Sequence, residues 1–260
     1  MLVTKIHPTA IIDAKAELDS SVEVGPYSVI GANVKIDAGT RVAGHVIING
    51  PTTIGKNNHI FQYSSLGEAP QDKKYRDEPT LLEIGDNNTI REFCTFNRGT
   101  IQDKGTTKIG SDNWIMAYVH IAHDCDVGNH TILANNSSLA GHVDIDDHAI
   151  LGGFTLIHQF CKVGSHVITA VGSVVFKDIP PYVTAAGYDA KPYGINAEGL
   201  KRRGFSADSI LQIKRAYKAL YRNGLTLEEA KIELAAMQAT TLEIGLLTDF
   251  LNVSTRGIVR

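Results

Sequence analysis

An aliphatic residue recurs at every sixth position through most of the first two thirds of the chain. Counted from Ile6, the recurring positions are Ile12, Leu18, Val24, Ile30, Ile36, Val42, Ile48, Ile54, Ile60 and Leu66, and then Ile84, Ile90 and Phe96. A shifted register runs through Ile109, Ile115, Ile121, Val127, Leu133, Leu139, Ile145, Leu151, Ile157 and Val163, is broken by Thr169, and returns at Val175. Side chains return to the same face about every 3.6 residues in a helix and every 2 residues in a strand. A period of six therefore indicates short strands separated by regular bends, each with one residue in a common interior.

The residue after each aliphatic position is often glycine, as at Gly25, Gly31, Gly55, Gly85, Gly110, Gly128, Gly152 and Gly164. We interpret these positions as corners, where a small residue lets the backbone turn. The pattern resembles the left-handed parallel β-helix of hexapeptide acyltransferases, in which three hexads form one triangular coil. The resemblance implies an all-β left-handed parallel β-helix, which we place in residues 1–187, and we expect a C-terminal α-helical subdomain in residues 188–260.

Two polar stretches interrupt the repeat, at about residues 68–83 and 98–108. We expect both to be loops extruded from the β-helix, and long loops on a repeat scaffold are commonly functional. The alternative for each is a tolerated surface insertion.

The hexads stop after Pro180 and Pro181, and the tail has helical patterns instead. Apolar residues spaced three and four apart predict a helix from Ser206 that ends at Gly224. Thr226 and Glu229 form a capping box that opens a second helix, and residues 241–252 predict a third. This subdomain is expected to cover the open end of the β-helix.

The composition excludes several classes of protein. The net charge of -3 provides no basic surface for nucleic acid. The three cysteines, Cys94, Cys125 and Cys161, form no CxxC pair, which disfavours a disulfide framework or a thiolate zinc site. No stretch approaches the roughly twenty apolar residues that span a bilayer, and the first ten residues lack a signal-like apolar stretch. We expect a cytoplasmic protein without stable membrane insertion.

Several polar residues fall into columns when the chain is wound in coils of eighteen residues. His123, Gly141 and Gln159 are eighteen apart, so they are expected to stack about 4.8 Å apart on successive coils. Asp124 and His142 form the neighbouring column. A histidine can take a proton from an attacking hydroxyl, a glycine N–H can stabilise an oxyanion, and Asp124 can hold the imidazole tautomer. The alternative is that these histidines are solvated side chains at turns.

Longer segments are similar to the UDP-N-acetylglucosamine O-acyltransferase family. These are HIAHDCDVGNHTILANNSSLAGHV, the loop QDKKY, IHQFCKVG and INAEGLKRRGFS. The resemblance extends from Ile6 to the closing STRGIVR and includes both loops. It implies transfer of a (3R)-3-hydroxyacyl group from acyl carrier protein to the 3-hydroxyl of UDP-N-acetylglucosamine, which begins lipid A synthesis. It also implies a homotrimer with sites between subunits, and no cofactor or metal beyond the donor thioester.

The resemblance assigns roles to individual residues. His123 matches the general base, Asp124 follows it in the same motif, and Gly141 matches the oxyanion donor. Residues of the first loop that match contacts to the acyl group and the substrate across the subunit boundary are Gln71, Asp72 and Lys74. Positions that match the lining of the sugar-nucleotide and thioester site are His120, His142, His158 and Gln159. Tail positions that match nucleotide contacts are Asn196, Glu198, Arg202 and Arg203.

Two positions differ among members of the family. Asn97 stands where histidine is common. Val171 occupies a position that helps to set acyl-chain length, and some members have glycine there. A valine is expected to shorten the groove, in a column with Gly153 and Asn135.

Three alternatives remain open from the sequence. One is another hexapeptide acyltransferase that acts on a related UDP-amino sugar or uses coenzyme A. The second is a metal-dependent hydratase on the same fold, with histidines as zinc ligands. The third is a solenoid scaffold without catalytic activity.

Overall fold

The computed structural model describes residues 5–260. Residues 1–4, which belong to the predicted β-helix domain and to the N-terminal stretch considered as a signal sequence, lie outside the described residues. The chain winds through three parallel sheets in turn, and each coil adds one short strand to each sheet. Sheet 1 contains β1 (Ile11–Ile12), β4 (Val29–Ile30), β7 (Ile47–Ile48), β10 (Ser65–Glu68), β13 (Thr95–Asn97), β16 (His120–Ile121), β19 (Ser138–Leu139), β22 (Leu156–Ile157) and β25 (Val174–Val175). Sheet 2 contains β2 (Glu17–Leu18), β5 (Val34–Ile36), β8 (Thr52–Ile54), β11 (Leu81–Ile84), β14 (Thr106–Ile109), β17 (Asp126–Val127), β20 (Asp144–Ile145) and β23 (Lys162–Val163). Sheet 3 contains β3 (Glu23–Val24), β6 (Arg41–Val42), β9 (His59–Ile60), β12 (Thr89–Ile90), β15 (Trp114–Ile115), β18 (Ile132–Leu133), β21 (Ile150–Leu151), β24 (Ile168–Thr169), β26 (Val183–Ala186) and β27 (Lys191–Ile195).

The strand register confirms the predicted winding. Ile121 pairs with Leu139, and Leu139 pairs with Ile157, so one coil takes eighteen residues. The recurring aliphatic residues from Val24 to Val175 are buried in one continuous core. Thr169, which breaks the aliphatic rule, is also buried, and its hydroxyl accepts a hydrogen bond from the N–H of Gly152 at 2.9 Å. The three cysteines are free and buried in the same core.

The glycines after the strands were predicted to let the backbone turn, but the turns are made by other residues. The residues with left-handed backbone at the corners lie two positions further on and are mostly not glycine, as at Tyr118, Asp124 and His130. A Cβ on Gly110 would lie 2.6 Å from the carbonyl oxygen of Gly128 on the next coil. Glycine is therefore needed there because neighbouring coils approach closely, and not because the chain turns at that residue.

Three corners join the sheets, and each forms a column along the β-helix. The first corner, between sheets 1 and 2, contains Asp124, His142 and Phe160, which are left-handed at φ of 59, 64 and 66°. The second corner, between sheets 2 and 3, contains a stack of His130, His148 and His166. The third corner, between sheets 3 and 1, contains an exposed aromatic ladder of Tyr27, His45, Tyr63, Phe93 and Tyr118, with ring centroids 4.8 to 5.2 Å apart.

Both loops leave the β-helix at the first corner. They comprise residues 69–80 and 98–105, since β10, β11 and β14 include more residues than the predicted loop bounds allowed. The loops lengthen two coils, so Leu66 pairs with Phe96 and Phe96 pairs with Ile121. Because both excursions start from the same edge, they lie over the column that contains Asp124.

The strands continue beyond the predicted domain boundary at residues 187 and 188. β27 pairs antiparallel with β26 and ends at Ile195. The helices are α1 (Ala197–Arg202), α2 (Ala207–Tyr221), α3 (Leu227–Gln238) and α4 (Ile244–Val253). The capping box of Thr226 and Glu229 is present at the start of α3, whereas α1 was not predicted because it is too short to show periodicity. Within residues 5–260, none of these helices is long and apolar enough to cross a membrane.

Candidate active site

The imidazole of His123 lies against the carboxylate of Asp124 at the first corner. Nδ1 of His123 donates a hydrogen bond to Oδ2 of Asp124 at 2.9 Å. Because an ionised carboxylate only accepts hydrogen bonds, this contact fixes the imidazole tautomer and leaves Nε2 free to accept a proton. The side chain of Asp124 is fully buried, and that of His123 is 15% exposed. The imidazole is therefore fixed by Asp124 at Nδ1, and the ring remains partly exposed.

The Asp124 carboxylate stays ionised although it is buried. Burial by itself would raise the pKa of this group, but hydrogen bonds from His123 and Thr100 outweigh the burial and hold the pKa below its ordinary value. An ionised carboxylate behind Nδ1 stabilises the positive charge that the imidazole acquires when Nε2 takes a proton. The pair is thus suited to act as a general base.

Gly141 lies on the next coil, directly beside His123, as the column predicted. A Cβ on Gly141 would lie only 2.6 Å from Cε1 of His123. Any side chain here would push the imidazole out of place, so glycine leaves room for it. The N–H of Gly141 donates no hydrogen bond within residues 5–260, which leaves a backbone donor next to the base.

His142 forms a second histidine–carboxylate pair in the neighbouring column. Its Nδ1 donates to Oδ2 of Asp103 at 2.6 Å, and its ring stacks on Phe160 with centroids 4.3 Å apart. The edge-on contact with His123 has a centroid distance of 4.9 Å. Donor atoms of His123, Asp124 and His142 lie within 4.8 Å of one another, which is a spacing that a metal ion can use. Both Nδ1 atoms already donate to carboxylates, however, and the prediction that no metal is needed stays a prediction.

An open cavity of about 690 Å³ lies in front of this pair. Its lining combines the first loop, the second loop and the corner columns, namely Gln71, Asp72, Lys73, Lys74, Thr100, Gln102, Asp103, His123, His142, Gln159 and Phe160. The structure therefore brings together six of the predicted site residues. Gln71, Asp72 and Lys74 line the cavity of their own chain, and their contact with substrate across a subunit boundary stays a prediction.

His120 lies in β16 of sheet 1, and His158 directly follows β22 of the same sheet. Nδ1 of His120 is 2.8 Å from Oγ1 of Thr95, and burial lowers the pKa of this histidine. Nδ1 of His158 donates to the carbonyl oxygen of Gln159 at 3.2 Å. Neither residue lines the cavity of the single chain.

The predicted tail residues lie at a different corner of the same chain. Asn196 caps α1, and its Nδ2 donates to the carbonyl oxygen of His166 at 3.0 Å. Nη2 of Arg203 donates to the carbonyl oxygen of His148, also at 3.0 Å. Glu198 and Arg202 are on α1 as well. The second corner thus carries this group, whereas His123 is on the first.

Val171 lies at the third corner, in the column that the hexad count predicted. Its Cγ2 would be 3.5 Å from a Cβ on Gly153, which would also contact the carbonyl oxygen of Asn135 at 3.4 Å. The side chain is 73% exposed.

Asn97 is buried, and its Nδ2 donates to the carbonyl oxygen of Ala69 at 3.0 Å, so this residue anchors the first loop.

Sequence reasoning did not identify Thr100, Asp103 or Phe160 as site residues. Thr100 and Asp103 are in the second loop, whose path no periodic pattern describes. Phe160 could have been found, since it is eighteen residues after His142 and so belongs to the same column.

Profiles of two protein families match the sequence. The family described as Udp N-acetylglucosamine O-acyltransferase; Domain 2 matches residues 178–259. The bacterial transferase hexapeptide family, with six repeats, matches residues 106–141.

Full-length relatives and solved structures agree with both profiles. The acyl-[acyl-carrier-protein]--UDP-N-acetylglucosamine O-acyltransferase of Thiobacillus denitrificans is 63% identical over 255 residues, which cover 98% of this chain and 99% of that protein. The protein of the same name from Neisseria gonorrhoeae is 58% identical, with coverage of 99% and 100%. The structure of the Francisella novicida UDP-N-acetylglucosamine acyltransferase matches with a TM-score of 0.97 at 44% identity, covering 98% of this chain and 94% of that one. LpxA from Acinetobacter baumannii matches with a TM-score of 0.96 at 50% identity, covering 98% and 99%.

These likenesses confirm the predicted left-handed β-helix with C-terminal helices. Because the relatives are acyltransferases, they also count against the hydratase and the scaffold. With matches over nearly its full length, the chain belongs to the family of UDP-N-acetylglucosamine O-acyltransferases.

Proposed function

We propose that the protein transfers a (3R)-3-hydroxyacyl group from acyl carrier protein to the 3-hydroxyl of UDP-N-acetylglucosamine, the first step of lipid A biosynthesis. The observation that carries this proposal is the oriented His123–Asp124 pair, which faces a cavity next to the free N–H of Gly141. The names of the relatives in Thiobacillus and Neisseria support the donor and the acceptor.

The chemistry follows from the positions of these groups. Nε2 of His123 removes the proton from the 3-hydroxyl as its oxygen attacks the thioester carbonyl. The resulting oxyanion accepts a hydrogen bond from the N–H of Gly141. Collapse of the tetrahedral intermediate breaks the carbon–sulfur bond, and the imidazolium returns the proton to the departing thiolate. The products are the ester and the free thiol of the carrier, and the thioester supplies all the reactivity without a further cofactor.

We further propose that three chains assemble around the third corner. That corner exposes the aromatic ladder, and the adjoining outer faces of sheets 1 and 3 expose Ile11, Ile47, Trp114 and Leu156. The outer face of sheet 2 is charged instead, with Lys35, Glu83, Lys108 and Asp126. Exposed apolar surface of this extent is typical of an interface, so sheets 1 and 3 are the faces that a neighbouring chain covers.

This packing also accounts for the tail residues that lie far from the base in one chain. In this packing, sheet 1 of one subunit lies on sheet 3 of the next subunit. The first corner of the one subunit then lies beside the second corner of its neighbour. Asn196, Glu198, Arg202 and Arg203 of the neighbouring subunit then face the cavity of His123. Two guanidinium groups at this position suit a diphosphate, since they chelate its oxygens.

A direct assay tests the proposed activity. Purified protein is incubated with UDP-N-acetylglucosamine and a panel of 3-hydroxyacyl carrier proteins, and the products are identified by mass spectrometry. The matched arms replace the carrier protein with coenzyme A as donor, and the acceptor with a UDP-sugar that has an amine at C3. We expect an O-linked product from the carrier protein only. Faster transfer to the amine, or from coenzyme A, would favour another hexapeptide acyltransferase instead.

The cellular location follows from the same proposal. Carrier-bound acyl groups and nucleotide sugars are cytoplasmic metabolites, and the three buried free cysteines fit a reducing compartment. We therefore place the enzyme in the cytoplasm.

A further inference from the structure

The Asp124 carboxylate receives most of its hydrogen bonds from one residue of the second loop. The backbone N–H of Thr100 lies 3.0 Å from both carboxylate oxygens, and its hydroxyl donates to Oδ2 at 2.6 Å. Within residues 5–260, the only other hydrogen bond to this carboxylate comes from His123. Thr100 is itself 1% exposed, so water does not compete with these contacts.

Hydrogen bonds and close packing hold the start of the second loop in place, and they therefore fix the position of Thr100. Nη1 of Arg98 donates to the carbonyl oxygens of Gly67 at 2.6 Å and Gly50 at 2.9 Å. The N–H of Gly99 donates to the carbonyl oxygen of Leu81 at 3.0 Å. A Cβ on Gly99 would lie 2.2 Å from the backbone nitrogen of Thr106. The segments that enter and leave the second loop are therefore in close contact.

The orientation of the base depends on this arrangement. A carboxylate plane can rotate about its last side-chain bond unless hydrogen bonds fix it, and Oδ2 of Asp124 accepts from both the Thr100 hydroxyl and His123 Nδ1. The hydroxyl therefore sets the position of the oxygen that orients the imidazole. We propose that Thr100 is a positioning residue for the His123–Asp124 pair, and that the second loop is part of the catalytic apparatus rather than a tolerated insertion. The inference rests on the proposed function, because it concerns the rate of that reaction.

Thr100→Val tests the role of the hydroxyl, because valine keeps the shape and the backbone N–H. We expect kcat to fall about tenfold with KM within about twofold, since only the orientation of the base changes. Thr100→Ser keeps the hydroxyl and is expected to restore most of kcat. In an Asp124→Ala background, Thr100→Val is expected to have no further effect on kcat, because the residue acts through that carboxylate.

Thr131→Val is the matched control. The N–H and the hydroxyl of Thr131 both donate to Oδ1 of Asn113, at 2.7 and 2.8 Å, so the contact has the same form and burial at the second corner. Loss of this hydroxyl is expected to lower Tm by a similar amount while kcat stays at the wild-type value.

The outcomes separate the two proposals. An inactive wild-type protein would overturn the proposed function. An active wild type with unchanged kcat in Thr100→Val, or a further loss of kcat in the Asp124→Ala background, would overturn the positioning role. A kcat loss in Thr131→Val equal to that in Thr100→Val would show a general effect of destabilisation and would overturn it as well.

Discussion

Single residues at the corners determine both the backbone path and the chemistry. Asp124 adopts a left-handed conformation with φ of 59°, which aspartate and asparagine tolerate better than most residues. This conformation places its carboxylate behind the His123 ring and under the N–H of Thr100. The corner that turns the chain is thus also the corner that holds the base.

His123→Ala is expected to reduce kcat by roughly 10²–10⁴-fold, because the proton acceptor is lost. The fold is expected to persist, since the side chain borders a cavity and leaves no hole in the core. Steady-state kinetics and a thermal melt check both points. His7→Ala is the matched control, because Nδ1 of His7 is also engaged, by Oγ1 of Thr9 at 2.9 Å, on the first coil. Activity of His123→Ala within about threefold of wild type would contradict the assignment.

His166 is expected to make stability depend on pH. Burial, and then the nearby Arg203, lower the pKa of this histidine to about 4. An unfolded histidine has a pKa of about 6.5. As the pH falls from about 6.5 to 4, the unfolded chain therefore binds the proton first, and the folded state loses roughly 2 kcal/mol by pH 5.

His166→Phe is expected to remove this loss. The ring still stacks on Tyr182 and His148, and Phe154 and Phe160 show that phenylalanine fits the same left-handed corner position. Urea unfolding at pH 7 and pH 5 compares the two proteins. A pH dependence that is equal in wild type and variant would show that His166 does not titrate in this range.

At the scale of elements, the coils are stacked too closely for a side chain at the glycine positions. Gly110→Ala is expected to cost about 1–3 kcal/mol, because its Cβ would meet the backbone of Gly128 at 2.6 Å. The Tm is expected to fall by roughly 3–10 °C in a calorimetric scan. Gly194→Ala has nothing within 4 Å of the new Cβ and provides the control. An unchanged Tm for Gly110→Ala would mean that the coils can separate at little cost.

The column that contains Val171 extends along the third corner, away from the base. If the acyl chain lies along sheet 1 toward this corner, valine ends the groove sooner than glycine would. Each methylene that no longer fits loses about 0.8 kcal/mol of burial. Val171→Gly is expected to shift preference toward longer donors and to leave the rate with short donors largely unchanged. Competition between donors of different length measures this, and an unchanged order of preference would show that the length is set elsewhere.

At the scale of the whole molecule, the proposed trimer places the base of one chain beside the proposed nucleotide contacts of its neighbour. We expect analytical ultracentrifugation to give a mass near three times the chain mass of 28.1 kDa. Tyr63→Glu together with Phe93→Glu is expected to dissociate the assembly, since both rings belong to the exposed ladder. The separated chains are expected to lose activity because Arg203 no longer reaches the cavity. A fully active monomer would contradict the shared site.

The amino-acid sequence by itself determined the short strands and the buried residues. These features follow from a period of six, which is a local property of the chain and needs no knowledge of distant contacts. The resemblance to hexapeptide acyltransferases supplied the left hand and the three hexads of each coil, and with them the corner columns. Once the coil length was known, the proximity of His123, Gly141 and Gln159 followed from counting. The helical tail was also predictable, because the capping box and the apolar spacing in α2 and α3 are local signals.

Tertiary structure alone decided how the second loop completes the site. The excursions of residues 69–80 and 98–105 have no period, so nothing in their sequence indicates that Thr100 reaches Asp124 or that Asp103 reaches His142. Contacts between segments that are not related by the repeat depend on the path of the chain in space, and local sequence does not encode that path.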